Sequence, residues 1–289
     1  MKAALNIWLL GALVLTTSAQ TIATFKFHRL GSIEIELFDD KPITVSNFLK
    51  YASSGRYDNQ FLHRWVEGFV IQGGGYNVDK SNPEQWNYGP IETFGQITNE
   101  THVGTFRSNV YGTIAMARVG SQTNSASSQW FFNLKDNGGP PEQGGANLDT
   151  ASGGYTVFGR VISNTNLLNL FVPPPPVNNI FVTYELVPGF PFTPTPVLST
   201  NTGDVSFWND FIYVDLSFRR NMNLRVTENV RGIRQIAWES VAGVNNTVQT
   251  STTFTNWVDV ESVIGTGQTM QITDPSTEPS RLYRVKLVY

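Results

Sequence analysis

Early in the chain Ile33, Ile35 and Leu37 alternate with Glu34 and Glu36. That two-residue period belongs to a strand with one face on a core and the other in water. Beyond Pro42 the period changes: Val45, Phe48, Leu49 and Ala52 fall at i, i+3, i+4 and i+7, the apolar stripe of a helix. Gly55 stands where a left-handed C-terminal cap is needed. Further strands are predicted over 69–72, 113–117, 129–133 and 156–162, each bounded by Gly-, Asn- or Ser-rich turn material. One more helix is predicted over 166–171. This pattern predicts a sheet-dominated domain with two helices rather than repeated βαβ units.

The prolines at 173–176 interrupt the pattern, yet Ile180, Val182 and Tyr184 resume a strand alternation beyond them. The first domain is therefore expected to run over 22–188. Residues 189–196, with Gly189, Pro191, Pro194 and Pro196, read as a semi-rigid linker. Over 197–289 helical periodicity is absent. Ile212, Val214, Leu216 and Phe218 alternate, as do Tyr283, Val285 and Leu287, and Asp274-Pro275-Ser276 is a turn signal. This part is predicted to be a small all-β, sandwich-like accessory domain. Trp238, Trp257 and Tyr283 suggest either a carbohydrate-stacking face or aromatics buried in the sandwich, and burial is the expectation.

Lys2, the apolar run 3–15 and the small residues Thr17-Ser18-Ala19 read as a signal peptide over 1–19, cleaved after Ala19. The run is shorter than the ~20 residues that span a bilayer, so a secreted or periplasmic protein with no membrane insertion after cleavage is expected. A net charge of -3 without Lys/Arg clusters argues against nucleic acid as a partner. The chain has no cysteine, which removes disulfides, thiolate nucleophiles and cysteine metal sites. His28, His63 and His102 show no metal-ligand spacing, and neither metal nor cofactor is expected. Gly73, Gly74 and Gly75 lack the Lys-Ser/Thr pair of a phosphate loop and read as tight-turn residues.

The segment Phe61-Leu62-His63-Arg64-Trp65-Val66-Glu67-Gly68-Phe69-Val70-Ile71-Gln72-Gly73-Gly74-Gly75 sets a guanidinium among aromatics and a glutamine. It resembles the cyclophilin signature. The resemblance continues in family order through Gly112-Thr113-Ile114-Ala115-Met116-Ala117-Arg118, Ser127-Ser128-Gln129-Trp130-Phe131-Phe132, Leu148-Asp149 and Tyr155-Thr156-Val157-Phe158-Gly159-Arg160-Val161. It implies an eight-stranded antiparallel barrel capped by two helices, and peptidyl-prolyl cis/trans isomerase activity on proline-containing peptides and unfolded or exported proteins. It also implies that Arg64 is the catalytic cation and that Gln72 helps to position it. Phe69, Val70, Phe131 and Leu148 would then surround the proline ring, with Tyr155 closing one wall. The Ala117 and Arg118 backbone would pair with the peptide, and Gln129 would lie in the same groove. His63 beside Arg64 suggests acid–base work, but structural support is the preferred role.

The sequence departs from the family pattern at Glu67, where proline is usual, and at Leu62, where an aromatic is common. Asn147 stands where many eukaryotic members carry tryptophan, and Tyr155 where they carry histidine, as in bacterial-type members. Weak cyclosporin binding is therefore expected. Two other function classes remain open in the sequence: a non-catalytic proline-binding module, and a surface-attachment protein acting through its C-terminal β domain.

Overall fold

The computed structural model describes residues 20–79, 87–172, 182–184, 194–199, 207–220, 222–276, 278 and 280–289. The predicted signal peptide over 1–19, the prolines at 173–176, Ile180 and residues 189–193 of the predicted linker lie outside the described residues. Strand β1 (Thr21–Phe27) pairs antiparallel with β2 (Gly31–Leu37), and helix α1 (Pro42–Ser53) follows. Strands β3 (Arg64–Val66), β4 (Val70–Gly73), β5 (Tyr76–Asp79), β6 (Asn87–Pro90), β7 (Thr113–Met116), β8 (Trp130–Asn133) and β9 (Val157–Ser163) lead to a 3-10 helix over Thr165–Phe171. After β10 (Val182–Tyr184), β11 (Thr195–Val197) and the single turn α2 (Phe207–Asp210) comes β12 (Val214–Arg220).

Eight of these strands form one curled antiparallel sheet in the order β12-β1-β2-β9-β7-β8-β4-β3. Its two edges approach each other just before β3 and β12. There the Leu62 N–H donates to the Ile212 carbonyl at 3.0 Å, and the Val214 N–H donates to the Gln60 carbonyl at 3.0 Å. The enclosed core holds Phe25, whose ring packs at 5.8, 5.1 and 5.2 Å from those of Phe48, Trp130 and Phe132. Such buried rings each contribute about 1.5–3 kcal/mol of burial, and more where they pack edge to face.

The alternation at Ile33, Ile35 and Leu37 falls on β2 with all three side chains buried, and the predicted helical stripe falls on α1. No residue next to the start of α1 caps it. The Ile43 and Thr44 N–H groups instead donate to the buried Glu100 carboxylate at 3.1 and 2.7 Å. That remote cap satisfies donors every helix start leaves open. Gly55 follows the helix at φ +76°, where only glycine is unstrained. The second predicted helix is the 3-10 turn, which buries Leu167, Leu168 and Phe171 against the same core as α1.

Strand β12 comes from beyond the expected linker, yet it pairs along its whole length with β1, from Thr21 opposite Arg220 to Phe27 opposite Val214. Residues 214–220, expected in the C-terminal accessory domain, thus complete the eight-stranded sheet. Alternation at Val214, Leu216 and Phe218 shows that a strand is present but carries no sign of its partner. The rest of the chain, β13 (Arg225–Glu228), β14 (Arg234–Glu239), β15 (Asn245–Ser251), β16 (Val258–Ile264), β17 (Thr269–Asp274) and β18 (Leu282–Val288), builds two three-stranded sheets, β13-β14-β17 and β16-β15-β18. They enclose Ile236, Trp238, Val248 and Ile272. Trp238 is buried, Tyr283 donates its hydroxyl to Asp274 at 2.7 Å, and the Arg284 guanidinium covers the Trp257 ring at 4.2 Å. The three aromatics thus do not share an open stacking face.

The pairing of β12 yields a stability prediction. A chain ending at residue 196 is expected to unfold at least about 10 °C lower than the full chain, or without a cooperative transition, because β1 is left as an unpaired hydrophobic edge. Calorimetry decides, and an unchanged transition would contradict the pairing.

Candidate active site

The site follows from strand register. Side chains alternate between the two faces of a sheet, so residues opposite one another across neighbouring strands share a face. One row reads Arg64 on β3, Gln72 on β4, Phe131 on β8, Ala115 on β7 and Val157 on β9. The next row, Trp65, Ile71, Phe132 and Ile114, faces the enclosed core. The first row faces outward, where Phe131, Ala115 and Val157 join Val70, Leu148 and Phe38 in a second apolar cluster.

Arg64 and Gln72 are direct cross-strand partners, and the Arg64 Nη1 donates to Gln72 Oε1 at 3.3 Å. Gln72 Nε2 donates in turn to Gln129 Oε1 at 2.6 Å. The carboxamide chain leaves Arg64 charged while fixing its direction, since an amide oxygen accepts a hydrogen bond without neutralising a cation. Burial pulls the Arg64 pKa below its ordinary value, with Tyr155 acting in the opposite direction. A partly desolvated cation gains electrostatic reach in the groove.

Arg64 and Gln72 border a cavity of about 240 Å³ with Phe69, Val70, Ala117, Arg118, Phe131, Leu148 and Tyr155. Every sequence-predicted site residue except Gln129 and His63 lines it; Gln129 stands behind Gln72. The Phe131 and Tyr155 rings meet edge to face at 5.8 Å. Arg118 lays its guanidinium over Tyr155 at 4.1 Å and donates to the Gly120 carbonyl at 2.9 Å and to the Ala151 carbonyl. Its side chain therefore braces the Tyr155 wall. The Ala117 N–H already donates to the Gln129 carbonyl at 2.9 Å, so that group belongs to the protein's own ladder.

Leu148 sits on an irregular loop held by polar groups that sequence reasoning did not single out. The Leu148 N–H donates to the Asn137 carbonyl at 3.0 Å, and Asn137 Nδ2 donates to the Phe69 carbonyl at 2.9 Å, tying two walls of the cavity together. The Asp149 carboxylate accepts from the Asn109 N–H at 2.8 Å, from Asn109 Nδ2 at 3.0 Å and from the Ser108 hydroxyl. Only Asp149, next to Leu148 in a matched motif, carried a signal in the sequence.

His63 lies behind the groove, 1% exposed, its ring 5.3 Å from that of Tyr76. Burial drives its pKa down to about 3, against the opposing contact with Gln129, and the nearby Arg64 charge also lowers it. The imidazole is thus neutral at physiological pH. A Cβ on Gly75 would lie 2.7 Å from the His63 ring, and one on Gly73 would lie 2.4 Å from Trp130. These glycines are demanded by close packing of rings. His28 and His102 stand apart, packed on Tyr213 and Phe106 respectively. Among the described residues no group of three or more His, Asp or Glu is arranged to hold a metal ion.

Residues 22–172 match the family model described as cyclophilin type peptidyl-prolyl cis-trans isomerase/CLD. A peptidyl-prolyl cis-trans isomerase of Acinetobacter baylyi is 32% identical over 200 residues, covering 68% of this chain and 94% of that protein. Peptidyl-prolyl cis-trans isomerase A of Dickeya dadantii is 37% identical over 154 residues, 52% of this chain and 70% of that protein. Peptidyl-prolyl cis-trans isomerase B of Escherichia coli is 37% identical over 145 residues, 48% of this chain and 77% of that protein.

The depressed His63 pKa has a measurable consequence. Between about 3 and the ordinary imidazole value of 6.5 the unfolded chain binds a proton that the folded chain refuses. His63 therefore favours folding fully above pH 6.5, and this contribution is lost as pH falls, at no more than about 1.4 kcal/mol per pH unit. Urea unfolding between pH 7 and 4.5 is expected to show this fall, and His63→Gln to flatten it. An equal slope in both chains would contradict the assignment.

Proposed function

The chain belongs to the cyclophilin-type peptidyl-prolyl cis-trans isomerase family and is an enzyme of that class; on that footing we propose that Arg64 acts on the prolyl amide while the adjoining apolar cavity grips the proline ring. Rotation about an X–Pro bond meets a barrier of about 18–20 kcal/mol, because twisting the amide destroys its conjugation. As conjugation is lost, the lone pair localises on nitrogen, which becomes a hydrogen-bond acceptor. A donor aimed at that nitrogen binds the twisted state more tightly than the planar one, and that difference is what accelerates the reaction.

The observation that carries this reading is the placement of a half-buried guanidinium, steered by Gln72 and Gln129, at the border of a cavity that Phe69, Val70, Phe131 and Leu148 help to line. Phe69, Val70, Phe131 and Leu148 hold the ring, Tyr155 braced by Arg118 forms the outer wall, and the backbone near Ala117 and Arg118 aligns the peptide. Bond rotation makes and breaks no covalent bond, so a neutral His63 suits the site.

The clients we propose are exported proteins with slow prolyl folding steps, in keeping with the signal-like pattern of Lys2, the apolar run 3–15 and Ser18-Ala19. Cyclosporin is expected to bind weakly, since Asn147 and Tyr155 replace the tryptophan and histidine of many eukaryotic members. We assign the isomerase unit to residues 20–220 and the accessory module to 222–289, dividing the chain where the eight-stranded sheet ends.

In a protease-coupled proline-peptide assay, Arg64→Ala is expected to lower kcat/KM by about 10²–10³-fold, the range for losing one preorganised transition-state donor. Wild-type activity in that variant would refute the role of Arg64.

A further inference from the structure

Arg64 sits on a strand of only three residues at the edge of the sheet. Such a strand has ladder bonds to one neighbour alone and frays easily, yet the proposed chemistry requires Arg64 to hold still. The opposite side of β3 is held by a segment outside the family-matched residues 22–172. The Trp65 N–H donates to the Pro194 carbonyl at 2.7 Å, and the Thr195 hydroxyl donates to the His63 carbonyl at 2.9 Å. These two bonds grip the residues on either side of Arg64.

The gripping segment is itself anchored. Strand β11 pairs with β10, with Tyr184 opposite Thr195 and Val182 opposite Val197. Val197 bridges to Phe211 and packs in an apolar cluster with Phe61, whose ring lies 4.6 Å from that of Phe211. Phe61 is three residues ahead of Arg64, so the clamp reaches β3 both directly and through the chain leading into it. Thr195 is wholly buried, and its hydroxyl has no solvent alternative to the His63 carbonyl.

We propose that Thr195, acting with the Pro194 carbonyl, is a positioning residue that fixes the height and direction of Arg64 against the prolyl nitrogen. The inference rests on the reading of Arg64 as the catalytic cation. Thr195 touches no substrate; it acts through the backbone of His63 and Trp65. A displacement of about 1 Å at a reacting group costs up to about 100-fold in rate, so partial loosening of one bond should cost less.

The test compares the full chain with Thr195→Val, Thr195→Ser and Arg64→Ala. Turnover is measured by exchange spectroscopy on a saturating proline tetrapeptide, and peptide Kd by titration. Thr195→Val, of the same shape without the donor, is expected to lose about three- to tenfold in turnover with Kd held within about twofold, and Thr195→Ser to recover it. Wild-type turnover in Thr195→Val overturns the proposal. So does a joint loss of turnover and binding that Thr195→Ser does not recover, which marks a merely structural role. If Thr195→Val does not fold, the Trp65 amide of the wild-type chain decides: slow hydrogen exchange supports the clamp, and exchange at the rate of an open edge overturns it. Full activity in Arg64→Ala sinks the underlying reading instead, whereas an impaired Arg64→Ala beside a normal Thr195→Val sinks the clamp alone.

Discussion

The antiparallel register that sets Arg64 opposite Gln72, Gln72 opposite Phe131 and Phe131 opposite Ala115 is the constraint on which the groove depends. A slip of one residue would send Arg64 into the enclosed core and turn Trp65 to the groove. The register is held from the other face. Trp65, Ile71, Phe132 and Ile114 are all buried, and their exposure in a slipped sheet would cost several kcal/mol at about 1.5–3 kcal/mol for each large side chain. Packing of the core therefore aims the cation from the opposite face of the sheet.

Two kinds of material share the groove. Its floor comes from strands, whose side-chain directions are rigid, and one wall comes from the loop carrying Leu148, whose shape is kept by Asn137, Asn109 and Asp149. On the other side the Arg118 guanidinium stacks on the Tyr155 ring and braces that wall.

The local elements were legible in the sequence because each carries its own period. The stripe of Val45, Phe48, Leu49 and Ala52 needs no knowledge of the rest of the chain, nor does the alternation of β2. The cavity residues were legible only through the family resemblance, since Phe131 and Leu148 are ordinary packing residues by composition. What stayed hidden depends on pairing between distant segments. The bond between β1 and β12 joins residues nearly 200 positions apart, and nothing in Val214, Leu216 or Phe218 names β1 as their partner. The prolines read as a linker conceal the same kind of fact, for Pro194 has a carbonyl acceptor even though it lacks an N–H.

In the proposed function gripping and acceleration are separate: the cavity would bind proline, and the Gln129–Gln72–Arg64 chain would direct the charge. Replacing Gln72 by leucine keeps the volume near the groove but cuts that chain. Exchange spectroscopy on a saturating proline peptide, with Kd from titration of the same sample, measures the two functions apart. The account predicts that Gln72→Leu lowers on-enzyme isomerisation by about tenfold while Kd changes by less than about threefold. Unchanged isomerisation, or a loss carried entirely by Kd, would contradict it.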